Sequence, residues 1–143
     1  MAATMLTTPA SLYFYPRATQ ELPVRKGARV LYALRAGAGV GHVEGESFYR
    51  EGVSWVFRCE DGSVGWAAQG RGHLVAVDAG TVLVADDWNN VGRLCNVPGD
   101  GAAGNEPRCW HVRSAVSGGR YLVEHLDTGD VRLVAHRDMH NCY

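Results

Sequence analysis

Four cysteines and six histidines are the side chains of this sequence best able to hold a metal. Cys95 and Cys109 flank a stretch dense in turn residues, and His136, His140 and Cys142 fall together in the string HRDMHNC. Convergence of Cys95, Cys109, His140 and Cys142 would make a tetrahedral zinc site. The spacing, Cys-x13-Cys followed by His-x3-His-x-Cys, matches no strong finger pattern. No cofactor is therefore expected, and the cysteines, with Cys59, read as reduced thiols in or near the walls of the fold, zinc being the weaker alternative. Catalytic chemistry has less to start from. Gly39-Val40-Gly41-His42 lacks the helix and the Lys-Ser/Thr that would hold a phosphate, and Glu60-Asp61 reads as turn chemistry rather than a catalytic pair. The expectation is a protein that is not an enzyme.

The elements that must position these residues are strands. The 143 residues are 46% hydrophobic and 20% charged, a globular composition, and the 18 glycines fall mostly where short strands would need turns. No segment of a dozen residues keeps an apolar helical stripe without Gly or Pro. A formal charge of −1 lacks the excess of Lys and Arg that binding a phosphate backbone requires, so nucleic acid is an unlikely partner. No stretch is long and apolar enough for a membrane span, and the first six residues lack a signal peptide's basic flank and apolar core, so an intracellular protein is expected.

From residue 24 onward the strand signals become regular. Residues 28–34 (ARVLYAL) form a first strand closed by the turn-forming Gly37, Gly39 and Gly41; residues 42–49 form a weaker second. Residues 53–59 alternate Val53, Trp55, Phe57 and Cys59 on one face, with Trp55 and Phe57 most simply in the core, and lead into the Asp61-Gly62 turn. Residues 64–68 and 73–77 complete five. The order then restarts, with 81–85, 110–116, 120–126 and 131–135 as strands, a close beginning at Met139, and Tyr121, Val123 and His125 in the places of Trp55, Phe57 and Cys59. The chain thus divides into an N-terminal extension, 1–23, with a candidate edge strand at 11–15; a first barrel, 24–78; and a second, 79–143. A long loop at 89–108 interrupts the second, and its composition, NVPGDGAAGNEP, is turn chemistry that reads as mobile.

The segment CWHVRSAVSGGRYLVEHLDTGDVRLVAHRDM, from Cys109 to Met139, resembles a Tudor domain. The matching pieces are Trp110 opening strand two, Ala115-Val116 ending it, the turn Asp127-Thr128-Gly129-Asp130, Val134 in strand four and the closing Asp138-Met139. The first copy is similar through ARVLYAL, WVFRCEDGSV and His73-Leu74, so the resemblance covers most of the chain. It implies an all-β fold of two tandem five-stranded SH3-like barrels of the Tudor/Agenet superfamily. It also implies a non-catalytic reader of a basic or methylated peptide tail such as a histone tail, within a larger nuclear or ribonucleoprotein complex.

Such readers hold a methylated ammonium among aromatic faces by cation–π attraction, about 0.5 to 2 kcal/mol per favourable ring. The positions that match the family's cage are Trp110, His125, Thr128 and Asp130. Tyr121 stands on the same strand as His125, and Trp88 could supply a further wall. Asp86, Asp87, Asp127 and Asp130 would form an acidic rim able to pair with a cationic tail. Many methyl-binding members carry aromatics where this chain has His125 and Thr128. Trp88 and Trp110 therefore stay open between cage wall and plain packing. Tyr32, Tyr49 and Trp66 are candidates for a surface between the barrels. The alternative function is a structural module that binds an unmodified peptide or another subunit, with a third, nucleic-acid binding, behind it.

Overall fold

The computed structural model describes residues 22–84, 90–97 and 109–139. The expected edge strand at 11–15, Asp86, Asp87, Trp88, residues 98–108, His140 and Cys142 lie outside the described residues. Within them the chain is all-β, with two five-stranded antiparallel sheets and no α-helix.

The first sheet comprises β1 (Arg29–Leu34), β2 (Gly37–Tyr49), β3 (Gly52–Cys59), β4 (Val64–Ala68) and β5 (Leu74–Val77), in the order β4-β3-β2-β1-β5. The second comprises β6 (Leu83–Val84), β7 (Leu94–Cys95), β8 (Trp110–Val116), β9 (Arg120–His125) and β10 (Val131–Ala135), in the order β10-β9-β8-β6, with β7 also pairing with β8. A short 3-10 turn, His136–Asp138, follows β10.

Two expectations are corrected here. Gly37, Gly39 and Gly41 belong to β2, and the turn before it is confined to Arg35 and Ala36. Close packing explains these glycines: a Cβ on Gly39 would lie 2.2 Å from the Tyr32 hydroxyl, and one on Gly41 would lie 2.5 Å from the Arg58 carbonyl oxygen. The insertion at 89–108, read as a mobile loop, contributes β7. Its Cys95 and Val97 are buried in the second core. Strand one of the second sheet is therefore split. An unbroken strand from the pairing of Val84 with Ala115 would reach His111 four residues later; Leu94 faces it instead, a register offset of six residues.

The two sheets share an irregularity. In the first, Val43 pairs with Phe57 and Gly45 with Val56, leaving Glu44 as a bulge on β2. In the second, Val112 pairs with Val123 and Ser114 with Leu122, leaving Arg113 as a bulge on β8. Each bulge turns a charged side chain outward to a partner on the neighbouring strand, Glu44 to Arg58 and Arg113 to Glu124. Superposing the bulges sets Trp55, Phe57 and Cys59 against Tyr121, Val123 and His125, the correspondence expected from the sequence.

Alternation then divides the apolar residues among three clusters. Val30, Tyr32, Val43 and Phe57 belong to the core of the first sheet, and Trp110, Val112, Tyr121 and Val123 to that of the second. A third cluster joins Leu31, Val40 and Val77 of the first to Val116, Leu122 and Val131 of the second. β1 and β9 are thus buried on both faces.

The connection between the sheets is held by hydrogen bonds. Arg29 Nη2 donates to the Thr81 carbonyl at 2.8 Å, and the buried Thr81 hydroxyl donates to Asp78 Oδ1 at 2.8 Å. The bulged Arg113 also reaches across, donating to the Leu34 carbonyl.

Candidate functional site

Trp110 and His125 are directly paired at the start of β8 and the end of β9, and their rings meet edge to face with centroids 5.0 Å apart. The arrangement follows from the turn after β9. His125 Nδ1 accepts hydrogen bonds from the Asp127 and Thr128 backbone N–H groups, at 3.1 and 3.3 Å, which fixes the imidazole against the indole.

Among the described residues the two rings do not form an open cage. Trp110 is 2% exposed and belongs to the second core. Its indole face carries a cation from the chain itself, the Arg132 guanidinium, 4.7 Å from the ring centroid. Tyr121 also turns into that core, where its hydroxyl accepts from Asn90 Nδ2 at 3.0 Å and its ring lies 5.7 Å from that of His136. Asp127 is exposed in the turn. Asp130 is engaged between the sheets, its Oδ1 accepting from the Gly72 N–H at 3.2 Å. Asp86 and Trp88 lie outside the described residues.

The three residues expected on a surface between the barrels sit elsewhere. Tyr32 is 8% exposed and faces the first core, its ring 5.2 Å from Phe57, because it alternates in phase with Val30; Leu31, in the opposite phase, meets the second sheet. Burial, with the Cys59 thiol beside it, raises the Tyr32 phenol well above its ordinary range and keeps it protonated. Tyr49 is exposed at the end of β2, nine residues beyond the interface residue Val40 and so up to about 30 Å away along the strand. Trp66 is 58% exposed on β4, at the edge of the first sheet.

The thiol reading is also corrected. Cys59 and Cys109 are not disulfide-bonded, whereas Cys95 is. A sulfur committed to a disulfide cannot serve as the thiolate that zinc requires, so Cys95 leaves the candidate ligand set.

What the structure does bring together is a cleft where the two sheets meet. It has a volume of about 240 Å³ and is lined by Leu22 and Val24, by residues 72 and 74–76, and by Asp130, Val131 and Arg132. Its framework is backbone. The Val131 N–H donates to the Gly72 carbonyl, His73 Nε2 lies 3.1 Å from the Thr128 carbonyl, and Leu22 makes a single antiparallel bridge to Ala76 on the outer side of β5. Asp130 and Arg132 place opposite charges beside apolar Leu22, Leu74 and Val131.

Arg132 and Gly72 were not singled out from the sequence. Arg132 left a trace: in VRLVA it falls in phase with the core residue Val134, and a cation in that phase needs a partner. Gly72 left none, since its contact with Asp130 spans 58 residues.

Comparison with protein-family models, curated proteins and solved structures returns no match.

Proposed function

We propose that the chain is a tandem pair of SH3-like barrels of the Tudor kind, acting as a non-catalytic module that holds an extended, unmodified peptide segment of a partner protein in the cleft between them. The strand order supports the barrel reading. In the first sheet a four-strand meander is joined at β1 by a returning fifth strand, and a long, bulged second strand curves the sheet. The second sheet repeats the meander and the bulge.

One observation carries the function: Trp110 already has the chain's own Arg132 over its face, whereas the cleft beside it is open and lined by both apolar and charged groups. Its volume suits the side chains of an extended segment better than a whole small molecule. Asp130 and exposed Asp127 favour a basic residue in that segment.

Calorimetric titration with matched basic peptides, methylated and unmethylated, tests the reading. Affinity should be independent of methylation and should fall at least about tenfold in Leu22→Lys, which changes the exposed lip of the cleft without touching either core. Methylation-dependent affinity, or binding indifferent to Leu22→Lys, would return the site to Trp110 and His125.

A further inference from the structure

The cleft between the sheets carries two charges of opposite sign on one stretch of chain. Asp130, immediately before β10, and Arg132, within it, stand two residues apart and both line the cleft. Residues two apart in extended chain share a face, with about 6.6 Å between them. A segment lying extended beside β10 repeats its own side chains at the same interval, so two of its residues can meet both charges at once.

Each charge is steadied by the fold. Asp130 Oδ1 accepts from the Gly72 N–H at 3.2 Å, and an ionised carboxylate has acceptor capacity beyond one donor. The Arg132 guanidinium lies 4.7 Å from the ring centroid of Trp110, which is itself anchored in the second core. Attraction to a ring face spends none of the guanidinium's N–H donors, which lie in its plane. The indole therefore orients this cation without using up its hydrogen bonds. A ligand offering only a basic residue to Asp130 sets a like charge beside Arg132, inside the screening length of physiological salt. An acidic residue two positions along removes that conflict and adds a second attraction.

We infer, resting on the reading of the cleft as a peptide site, that Arg132 selects the segment bound there. That segment carries a basic residue for Asp130 and, two positions from it, an acidic residue for Arg132. The partner is an extended stretch of mixed charge rather than a uniformly basic tail.

Calorimetric titration tests it with nine-residue peptides, blocked at both ends and built of valine and serine around one lysine. A glutamate two positions to one side of the lysine should bind about fivefold tighter than glutamine at the same place. A glutamate adjacent to the lysine falls on the opposite face and should bind no better than glutamine. Arg132→Gln should erase the preference and raise the affinity for the glutamine peptide, because the like charge is gone; a merely structural arginine would lower the affinity for every peptide. Arg132→Glu should reverse the preference in favour of lysine at that position. Equal affinity for the glutamate and glutamine peptides in both orders, with binding still weakened in Leu22→Lys, overturns selection by Arg132 and leaves the cleft standing. Binding indifferent to Leu22→Lys, or no binding at all, overturns the peptide reading of the cleft and this inference with it.

Discussion

The two sheets solve the same packing problem with their large and small residues exchanged. Aligned on the bulges at Glu44 and Arg113, Phe57 of the first corresponds to Val123 of the second, Gly65 to Arg132 and Gly41 to Trp110. In the first sheet, Phe57 and Tyr32 fill the space over Gly65, Gly39 and Gly41, which have no side chains. In the second, Trp110 fills it from β8, Val123 is smaller, and Arg132 extends over the indole. Cores packed to crystal-like density can differ in the source of each ring while keeping total volume. The same backbone repeat thus yields a first core of rings packed over glycines and a second that hosts a cation on its tryptophan. Buried Asn96 beside that second core makes no side-chain hydrogen bond among the described residues, a polarity the first core lacks.

The comparison breaks most visibly at the cluster that joins the sheets. Leu31→Ala and Leu122→Ala each remove a fully buried side chain from it, so each should lower stability by about 3 kcal/mol in urea unfolding. Both sheets should still unfold in one transition for the wild type. Separate transitions there would make the two sheets independent.

Gly41→Ala is expected to cost about 2 kcal/mol, because its Cβ would meet the Arg58 backbone oxygen, which cannot swing aside as a side chain can. Alanine at Gly119, in the turn before β9, meets nothing within 4 Å, and its cost should come only from its φ of 70°. Thermal melts of the two variants measure steric and conformational costs side by side.

A smaller effect sharpens the contrast between the cores. Arg132→Ala should lower stability by about 1 kcal/mol and expose the Trp110 face, shifting its fluorescence to the red and admitting quenchers that wild type excludes. If the variant then bound a quaternary ammonium, the cage geometry would prove to be present and self-occupied.

The smallest effect concerns the connection between the sheets. The Thr81 hydroxyl and the turn N–H groups lower the Asp78 pKa from its ordinary 3.8. A depressed carboxylate contributes stability in full above its unfolded value and loses it as pH falls through the folded one. Wild type should therefore lose stability below about pH 4 more steeply than Asp78→Asn, as acid titration by circular dichroism would record.

Much of the fold was legible in local pattern. The alternation set Trp55 and Phe57 on the core face, where Phe57 is buried and Trp55 packs half-buried against it, and the strands 110–116 and 131–135 begin and end where the sequence set them. The candidate site was less legible. The turn register that sets Val116 opposite Arg120 would set Trp110 opposite Leu126, and the bulge at Arg113, which no local pattern announces, moves it to His125. The partner on the other indole face came from β10, and neither the burial of Trp110 nor the engagement of Asp130 by Gly72 has a local signature.

The sequence by itself determined most of the strands and the Asp-Gly turns, because a period of two and the conformational demands of Gly and Asp act over a few residues; the glycines packed under Tyr32 and the short strand at Leu94–Cys95 carry no such local mark. Only the tertiary structure decided which side of a doubly buried strand faces which core. Val30, Leu31 and Tyr32 are all apolar, so their alternation could not say that Leu31 meets the second sheet while Tyr32 packs on Phe57. Nor could it say that β10 would find cover on the first sheet. Those outcomes depend on contacts between residues far apart in the chain, whose energies exist only once the two sheets have met.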